Sequence, residues 1–260
     1  MNAGTPGWAH HPLLAQRRIE FLDAPMHALT MDETLALATE AMRRRRPMHH
    51  TVVNVAKVVA MRDNAELRED VATADLINID GAGVLLGARL MGLKVPERVA
   101  GVDIMERLFA IGAEQGFRPY LLGAEQSVLD AVVDRLRRDH PTLVIAGARN
   151  GYFKPDDEAD IIAGINASGA DCLFVAMPTP RKERFLKKYR EVLTPNFVMG
   201  VGGSFDVYGG KVARAPLLMQ KLGLEWLFRL LQEPGRLWKR YFTSNLAFAV
   251  LLAGALLKRR

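Results

Sequence analysis

Between residues 74 and 83 the sequence reads Ala-Asp-Leu-Ile-Asn-Ile-Asp-Gly-Ala-Gly, and this stretch restricts the fold more than any other. An apolar run, Leu76 to Ile79, stops at a carboxylate, Asp80, with glycines at 81 and 83, and a helical pattern follows from Val84. That order predicts a buried strand, a tight loop and a helix. In an open parallel sheet the carboxyl ends of the strands form the crevice where ligands sit. Asp80 falls at that edge, with glycines that let another molecule approach the backbone. An Asp here also has a plainer role, as N-cap of the next helix. The rest of the chain weighs on the choice.

The same beat recurs. His50 to Val53 reads as a strand ending at Asn54, with a helix from about Ala56 to Arg68. Tyr120 to Gly123 leads into a helix ending near Arg138, and Leu143 to Gly147 into the loop Asn150-Gly151-Tyr152-Phe153 and a helix over 156–167. Cys172 to Met177 gives way to Pro178-Thr179-Pro180 and a basic helix over 181–192, and Phe197 to Val201 ends in Gly202-Gly203-Ser204-Phe205-Asp206. Strands alternating with helices predict an α/β fold, a Rossmann-like parallel sheet sandwiched by helices, with ligands along one edge. Before it, residues 1–18 read as a flexible N-terminus, Ile19 to Leu22 as an edge strand, and Thr30 with Glu33 as a capping box. Residues 19–210 are then expected to form the α/β domain that carries the site and 211–260 a helical appendage.

Charge separates the two parts. The appendage holds ten Lys and Arg against Glu225 and Glu233, whereas the chain as a whole carries only +6. An anionic partner is expected there, either nucleic acid or a membrane surface. Nucleic-acid binding calls for stacking aromatics on a sheet face or a known module, and neither is visible. Trp226, Trp238, Tyr241 and Phe242 instead interleave with Arg229, Arg236, Lys239 and Arg240, a basic amphipathic pattern suited to a membrane interface. The apolar run from Leu246 to Leu257 is about 12 residues, against the ~20 needed to span, so the appendage is expected to lie on or dip into the bilayer. The single cysteine, Cys172, excludes an internal disulfide framework, and no basic-then-apolar secretory signal opens the chain. A cytoplasmic setting follows.

Several chemistries lack their motifs. No dinucleotide fingerprint follows the first strand, no P-loop occurs, and no Asp-x-Asp stands beside a strand end. No His or Cys pair has metal spacing on a helix, and no Gly-x-Ser-x-Gly elbow is present. No cofactor or metal is expected. What remains is a nucleotide-type crevice with one carboxylate and several cations. That set suits a Rossmann-type nucleotide-dependent enzyme or a nucleotide-sugar-sensing binding module.

Eight segments then carry a specific resemblance. They are Val53-Asn54-Val55-Ala56-Lys57, Asn78-Ile79-Asp80-Gly81-Ala82-Gly83, Arg98-Val99-Ala100-Gly101-Val102-Asp103 and Asn150-Gly151-Tyr152-Phe153. Met177-Pro178-Thr179-Pro180-Arg181-Lys182-Glu183, Gly203-Ser204-Phe205-Asp206, Arg214-Ala215-Pro216 and the run from Leu224 to Arg236 complete them. In this order, over about 19–245, the chain resembles the WecG/TagA/CpsF family of bacterial glycosyltransferases. The resemblance implies inverting, metal-independent transfer of a sugar from a UDP-sugar to a sugar on a polyprenyl diphosphate. It places the enzyme peripherally on the inner face of the cell membrane, in exopolysaccharide or other cell-surface glycan synthesis. By motif, Asp80 is the general base, Arg98 serves the diphosphate or acceptor, and Arg229, Arg236 and Arg240 help complete the site. Tyr152 and Asp206 hold the uridine, and Asn54, Gly123, Gly151, Met177, Lys182 and Gly203 complete the substrate-binding set. Two positions depart from the family pattern. Arg181-Lys182-Glu183 stands where Lys-Gln-Glu is common, which is similar to glucosyl- and uronosyl-type members, and Val52 stands where Thr is usual. Lys182 is thereby a candidate for donor phosphate. The donor sugar, the acceptor linkage and a homo-oligomeric state stay open.

Overall fold

The computed structural model describes residues 7–258, with the side chain of Arg236 outside the described set. Six strands of these residues form one parallel sheet in the order β4-β3-β8-β7-β5-β6. These are β3 (Met48–Val53), β4 (Leu76–Ile79), β5 (Pro119–Gly123), β6 (Gly147–Arg149), β7 (Cys172–Ala176) and β8 (Phe197–Gly200). Every residue of β4, β5, β7 and β8 is buried. Helices cover both faces, which is why these strands read as unbroken apolar runs rather than as alternating ones. One face carries α2 (Met31–Arg43), α6 (Gly101–Gln115), α7 (Gln126–Asp139) and the short α10 (Ser204–Tyr208) over a core that includes Phe109, Phe174 and Phe205. The other carries α3 (Val55–Asp63), α4 (Ala65–Ala72), α5 (Ala82–Leu90), α8 (Glu158–Ala167) and α9 (Arg181–Lys188). The α/β sandwich expected from the alternating pattern is the fold observed.

Four local differences have physical causes. The segment expected to be loose is folded over its described part, 7–17: a 3-10 turn (Trp8–His10) precedes α1 (Pro12–Arg17). Trp8 and Leu14 are buried, and the indole donates to the Pro47 carbonyl at 2.7 Å with Arg46 4.1 Å above its ring. The single edge strand is a hairpin, β1 (Arg18–Phe21) with β2 (Ala24–His27), and Leu22 and Asp23 take positive φ in its turn. The helix expected over 56–68 breaks at Asn64, whose side chain accepts from the Leu67 amide at 2.9 Å and so caps a second helix, α4. Finally, β6 begins at Gly147 and not at Leu143. A Cβ at 147 would stand 2.4 Å from the Tyr120 ring, so only glycine lets this edge strand close on β5. The expected capping box is present, with Thr30 and Glu33 each accepting from the other's amide.

The C-terminal fifth is helical: α11 (Leu217–Lys221), α12 (Glu225–Gln232) and α13 (Pro234–Lys258). The apolar run is not a separate 12-residue piece. It continues the basic aromatic stretch in one helix, of which Leu237–Lys258, 22 residues, is long and apolar enough to cross a membrane. Phe248 nevertheless packs into the α3–α5 side of the core, 6.1 Å from the Phe21 ring.

Three buried histidines gather at the β2, β3 and β4 side of the sheet. Burial lowers His27 to about 4, His49 to about 3 and His50 to about 4. Their folded pKa values lie below the unfolded one, so the stability they support is present above about pH 6.5 and is lost as pH falls toward 4. Each contributes a slope of up to about 1.4 kcal/mol per pH unit. Urea unfolding between pH 7 and 4.5 is expected to show steep acid loss, and His49→Gln to flatten it.

Candidate active site

Parallel strands bring every loop after β3 to β8 to one edge, and register decides which residues meet. Val53 pairs with Ile79, so Asn54 and Asp80 are neighbours, each the first residue beyond its strand. Gly81 takes φ 140°, a conformation that favours glycine, and its backbone lies in van der Waals contact with Asn54, so the two loops touch. Asn54 caps α3 through the Lys57 amide at 3.0 Å. Asp80 does not cap α5, whose N-terminus at Gly81 has no side-chain cap. It accepts instead from the Gly101 amide, at 3.3 Å, in the first turn of α6. The Val99 amide donates to the Ile79 carbonyl at 2.9 Å, which stitches the 95–100 loop along β4 and delivers Arg98 and the α6 terminus to the carboxylate. The plain N-cap role for Asp80 is thereby excluded.

The appendage closes over this corner. Arg98 is salt-bridged to Glu225 of α12 at 2.7 Å, both side chains largely buried. Gly223, at φ 73°, brings the α11–α12 turn against the first turn of α5, where a Cβ would stand 2.4 Å from that of Ala82. Arg229, one turn beyond Glu225, is near enough for its charge to act on Asp80. Burial pushes the Asp80 carboxyl above the usual range; Arg98, the Gly101 amide and Arg229 pull it down without cancelling that, and Glu225 adds to the rise. Arg240 lies on the exposed side of α13 with its guanidinium 5.3 Å from the Tyr241 ring. The Arg236 side chain lies outside the described residues.

A second group of expected residues collects across the edge. Gly123, at φ 125°, allows β5 to pass β7, where a Cβ would meet the Ala176 carbonyl at 2.3 Å. Gly151 packs on Gly123, its amide donating to the Ala124 carbonyl at 2.9 Å and its carbonyl accepting from Arg181 at 3.0 Å. Beside it the Tyr152 ring is 74% exposed, free to stack on a flat ligand. Lys211 pairs with Glu125 at 2.8 Å and also feels Asp206 and Tyr152, which brings those two residues into one locality. Gly203 precedes α10 and lies against the Asp206 carboxylate.

Two expected contacts are placed elsewhere. The Met177 side chain turns into the core, leaving only its backbone at the edge. Lys182 is 5% exposed and sits in a buried ionic cluster beside Gly200, at the end of β8, with its ammonium engaged by protein groups. Its ammonium lies 2.6 Å from Glu183 Oε1 and 2.5 Å from Thr179 Oγ1, while Lys57 reaches the same Oε1 at 2.9 Å and the Val52 carbonyl at 2.6 Å. Burial, with the Lys57 charge, lowers Lys182 to about 8. Against the upward push of burial, the two ammonium groups hold Glu183 down at about 2. Glu225, Lys57, Glu183 and Thr179 had no role in the sequence reading, although all four stood inside the motifs that carried the resemblance. Arg214 was likewise missed; it pairs with Asp103 and, at 3.3 Å, with Glu106, tying the start of the appendage to α6. Among the described residues no three His, Cys, Asp or Glu side chains gather as a metal set.

Fold and site together define a doubly wound α/β protein with a carboxylate and cations at the carboxyl edge of its sheet. The sequence model for the Glycosyl transferase WecG/TagA/CpsF family matches residues 19–260, nearly the whole chain, and the chain belongs to that family. It is accordingly a glycosyltransferase, which takes a nucleotide-sugar donor and an acceptor.

Two outcomes follow from the electrostatics at Asp80. With its folded pKa raised, its stabilising contribution is present at low pH and lost as pH rises through that value. Thermal melts at pH 8 are therefore expected to show Asp80→Asn no less stable than the parent. Glu225→Gln, removing a charge that raises Asp80, is expected to lower the Asp80 pKa followed by carboxyl-carbon NMR, and Arg98→Gln to raise it.

Proposed function

We propose that the protein moves a sugar from a UDP-sugar to a sugar carried on a polyprenyl diphosphate, with inversion and without a metal, at the inner face of the cell membrane. The observation that carries the reading is a half-buried carboxylate at the strand edge with two guanidinium groups, those of Arg98 and Arg229, acting on it. The acceptor hydroxyl attacks the anomeric carbon as Asp80 takes its proton. The bond from that carbon to the diphosphate oxygen breaks on the opposite face, and UDP leaves. A raised carboxyl pKa makes Asp80 a better base near neutral pH than an ordinary aspartate.

Charge on the departing diphosphate is met by Arg98 and Arg229, with Arg240 contributing from α13. Preorganised cations in a partly desolvated crevice can do the work that a metal does elsewhere. Tyr152 stacks on the uracil, and Asp206 and the glycine loops of β5, β6 and β8 hold the nucleoside. Lys182 acts from beneath: locked to Glu183 and Thr179, it sets the Pro178–Pro180 loop and leaves the phosphates to the arginines. The appendage brings the enzyme to its lipid substrate through α12 and α13 and, by the Arg98–Glu225 pair, couples that surface to the chemistry.

Asp80→Asn is expected to lower turnover by on the order of 10²–10⁴ while UDP binding by calorimetry stays near that of the parent. Full activity in this variant ends the assignment. Turnover is expected to persist in EDTA; complete loss restored by Mg²⁺ or Mn²⁺ would contradict cationic stabilisation of the leaving group. UDP released only when a lipid-linked acceptor is present separates the transferase from a sensor that merely binds the nucleotide sugar.

A further inference from the structure

Length alone allows α13 to cross a bilayer, but its packing argues for a different posture. Leu237, Ser244 and Phe248 are buried along one side of the helix. Phe248 and Leu252 come within 3.2 and 3.3 Å of where a Cβ on Gly87 of α5 would be. A helix crossing the hydrocarbon with these contacts intact would carry α3, α5 and the β1–β2 hairpin into the lipid with it. A helix lying along the surface keeps them. On the opposite side, Trp238, Phe242, Leu246 and Val250 are exposed at four-residue spacing, a single outward stripe.

The same geometry extends to the catalytic domain. Around α5, at about 100° per residue, Val84 and Ala88 point into the core and Gly87 points toward α13. Leu86 and Leu90, one turn apart, point away from the core, and they are 61% and 58% exposed. The outward side of α5 therefore borders the outward side of α13. Exposed Lys94, Lys239, Arg240 and Lys258 provide positive charge around the two helices. A basic rim on an apolar face matches an anionic lipid leaflet.

We propose that Leu86 and Leu90 of α5 join the outward stripe of α13 in one surface seated in an anionic leaflet. This rests on the membrane role proposed above for the appendage and assigns a second contact, made by the catalytic domain itself. Asp80 precedes α5 by two residues, so seating α5 fixes the depth of the crevice mouth. A lipid-linked diphosphate at headgroup level then meets Arg98 without leaving the membrane.

The experiment uses the full chain, in which Cys172 is buried and unreactive to label. Leu90→Cys, Phe242→Cys and, at the far edge of the sheet, Val144→Cys are each labelled with a polarity-sensitive fluorophore. Each is mixed with phosphatidylglycerol–phosphatidylcholine vesicles containing doxyl-labelled lipid. The Leu90 and Phe242 labels are expected to blue-shift and be quenched, with Val144 unchanged. Quenching at Phe242 but not at Leu90 overturns the α5 contact and leaves the appendage reading intact; no binding to vesicles overturns both. A Leu90 label already shielded before vesicles are added, in a chain that sediments as a dimer, assigns the face to a second copy and overturns the proposal. Leu86→Ser with Leu90→Ser is expected to weaken vesicle partitioning by tenfold or more, and unchanged partitioning counts against it.

Discussion

A carboxylate withdrawn from water needs positive partners, and the surroundings of Asp80 are arranged to supply them. Burial raises its proton affinity, and three sources of positive potential oppose that: Arg98, the first amide of α6 and Arg229. The first two come from one stretch, residues 98–101, and the third from the appendage. The loop over 95–100 runs along β4 because the Val99 amide reaches the Ile79 carbonyl, α6 starts where Gly101 can reach Asp80, and α12 arrives through Glu225 on Arg98. The appendage is thus part of the electrostatics of the crevice as well as a candidate membrane surface. Glu225 works against Asp80 and with Arg98 at once, which keeps the carboxyl protonatable while holding the guanidinium in place.

Below this corner, the Lys57–Glu183–Lys182 cluster joins α3 to α9 between the ends of β3 and β8. Three charges within hydrogen-bond reach, all buried, fix the loop after β7 more firmly than one neutral contact would. One carboxylate oxygen, Glu183 Oε2, is buried with no hydrogen-bond partner in the described structure. Removing either lysine would leave Glu183 short of compensation and cost far more than a surface pair.

Much of the fold was legible because the signals are local. Apolar runs ended by Asn54, Asp80, Gly123 and Gly202 mark strand ends, and parallel strands put all such ends on one edge. The capping box at Thr30 and Glu33 was equally plain. What escaped depended on contacts between distant residues. Gly147 marks the start of β6 only once Tyr120 is seen beneath it, and Trp8 anchors an apparently loose terminus only through Pro47 and Arg46. At the site, Asp80 and Arg98 could be singled out by motif, but their partner Glu225 lies 127 residues from Arg98 and has the sequence signature of an ordinary helix-starting acid. Spacing shows where Lys182 falls and not which way its ammonium turns, so its bonds to Glu183 and Thr179 could not be read from the motif.

On the mechanism proposed above, the appendage completes the chemistry as well as anchoring the enzyme. Deleting residues from Leu217 onward and assaying transfer to a short-chain, water-soluble acceptor tests it most directly, because membrane recruitment no longer matters. The truncated protein is expected to stay folded and bind UDP yet transfer almost no sugar, having lost Arg229 and the Glu225 support of Arg98. Transfer to the soluble acceptor at the rate of the full chain would contradict it and reduce the appendage to an anchor.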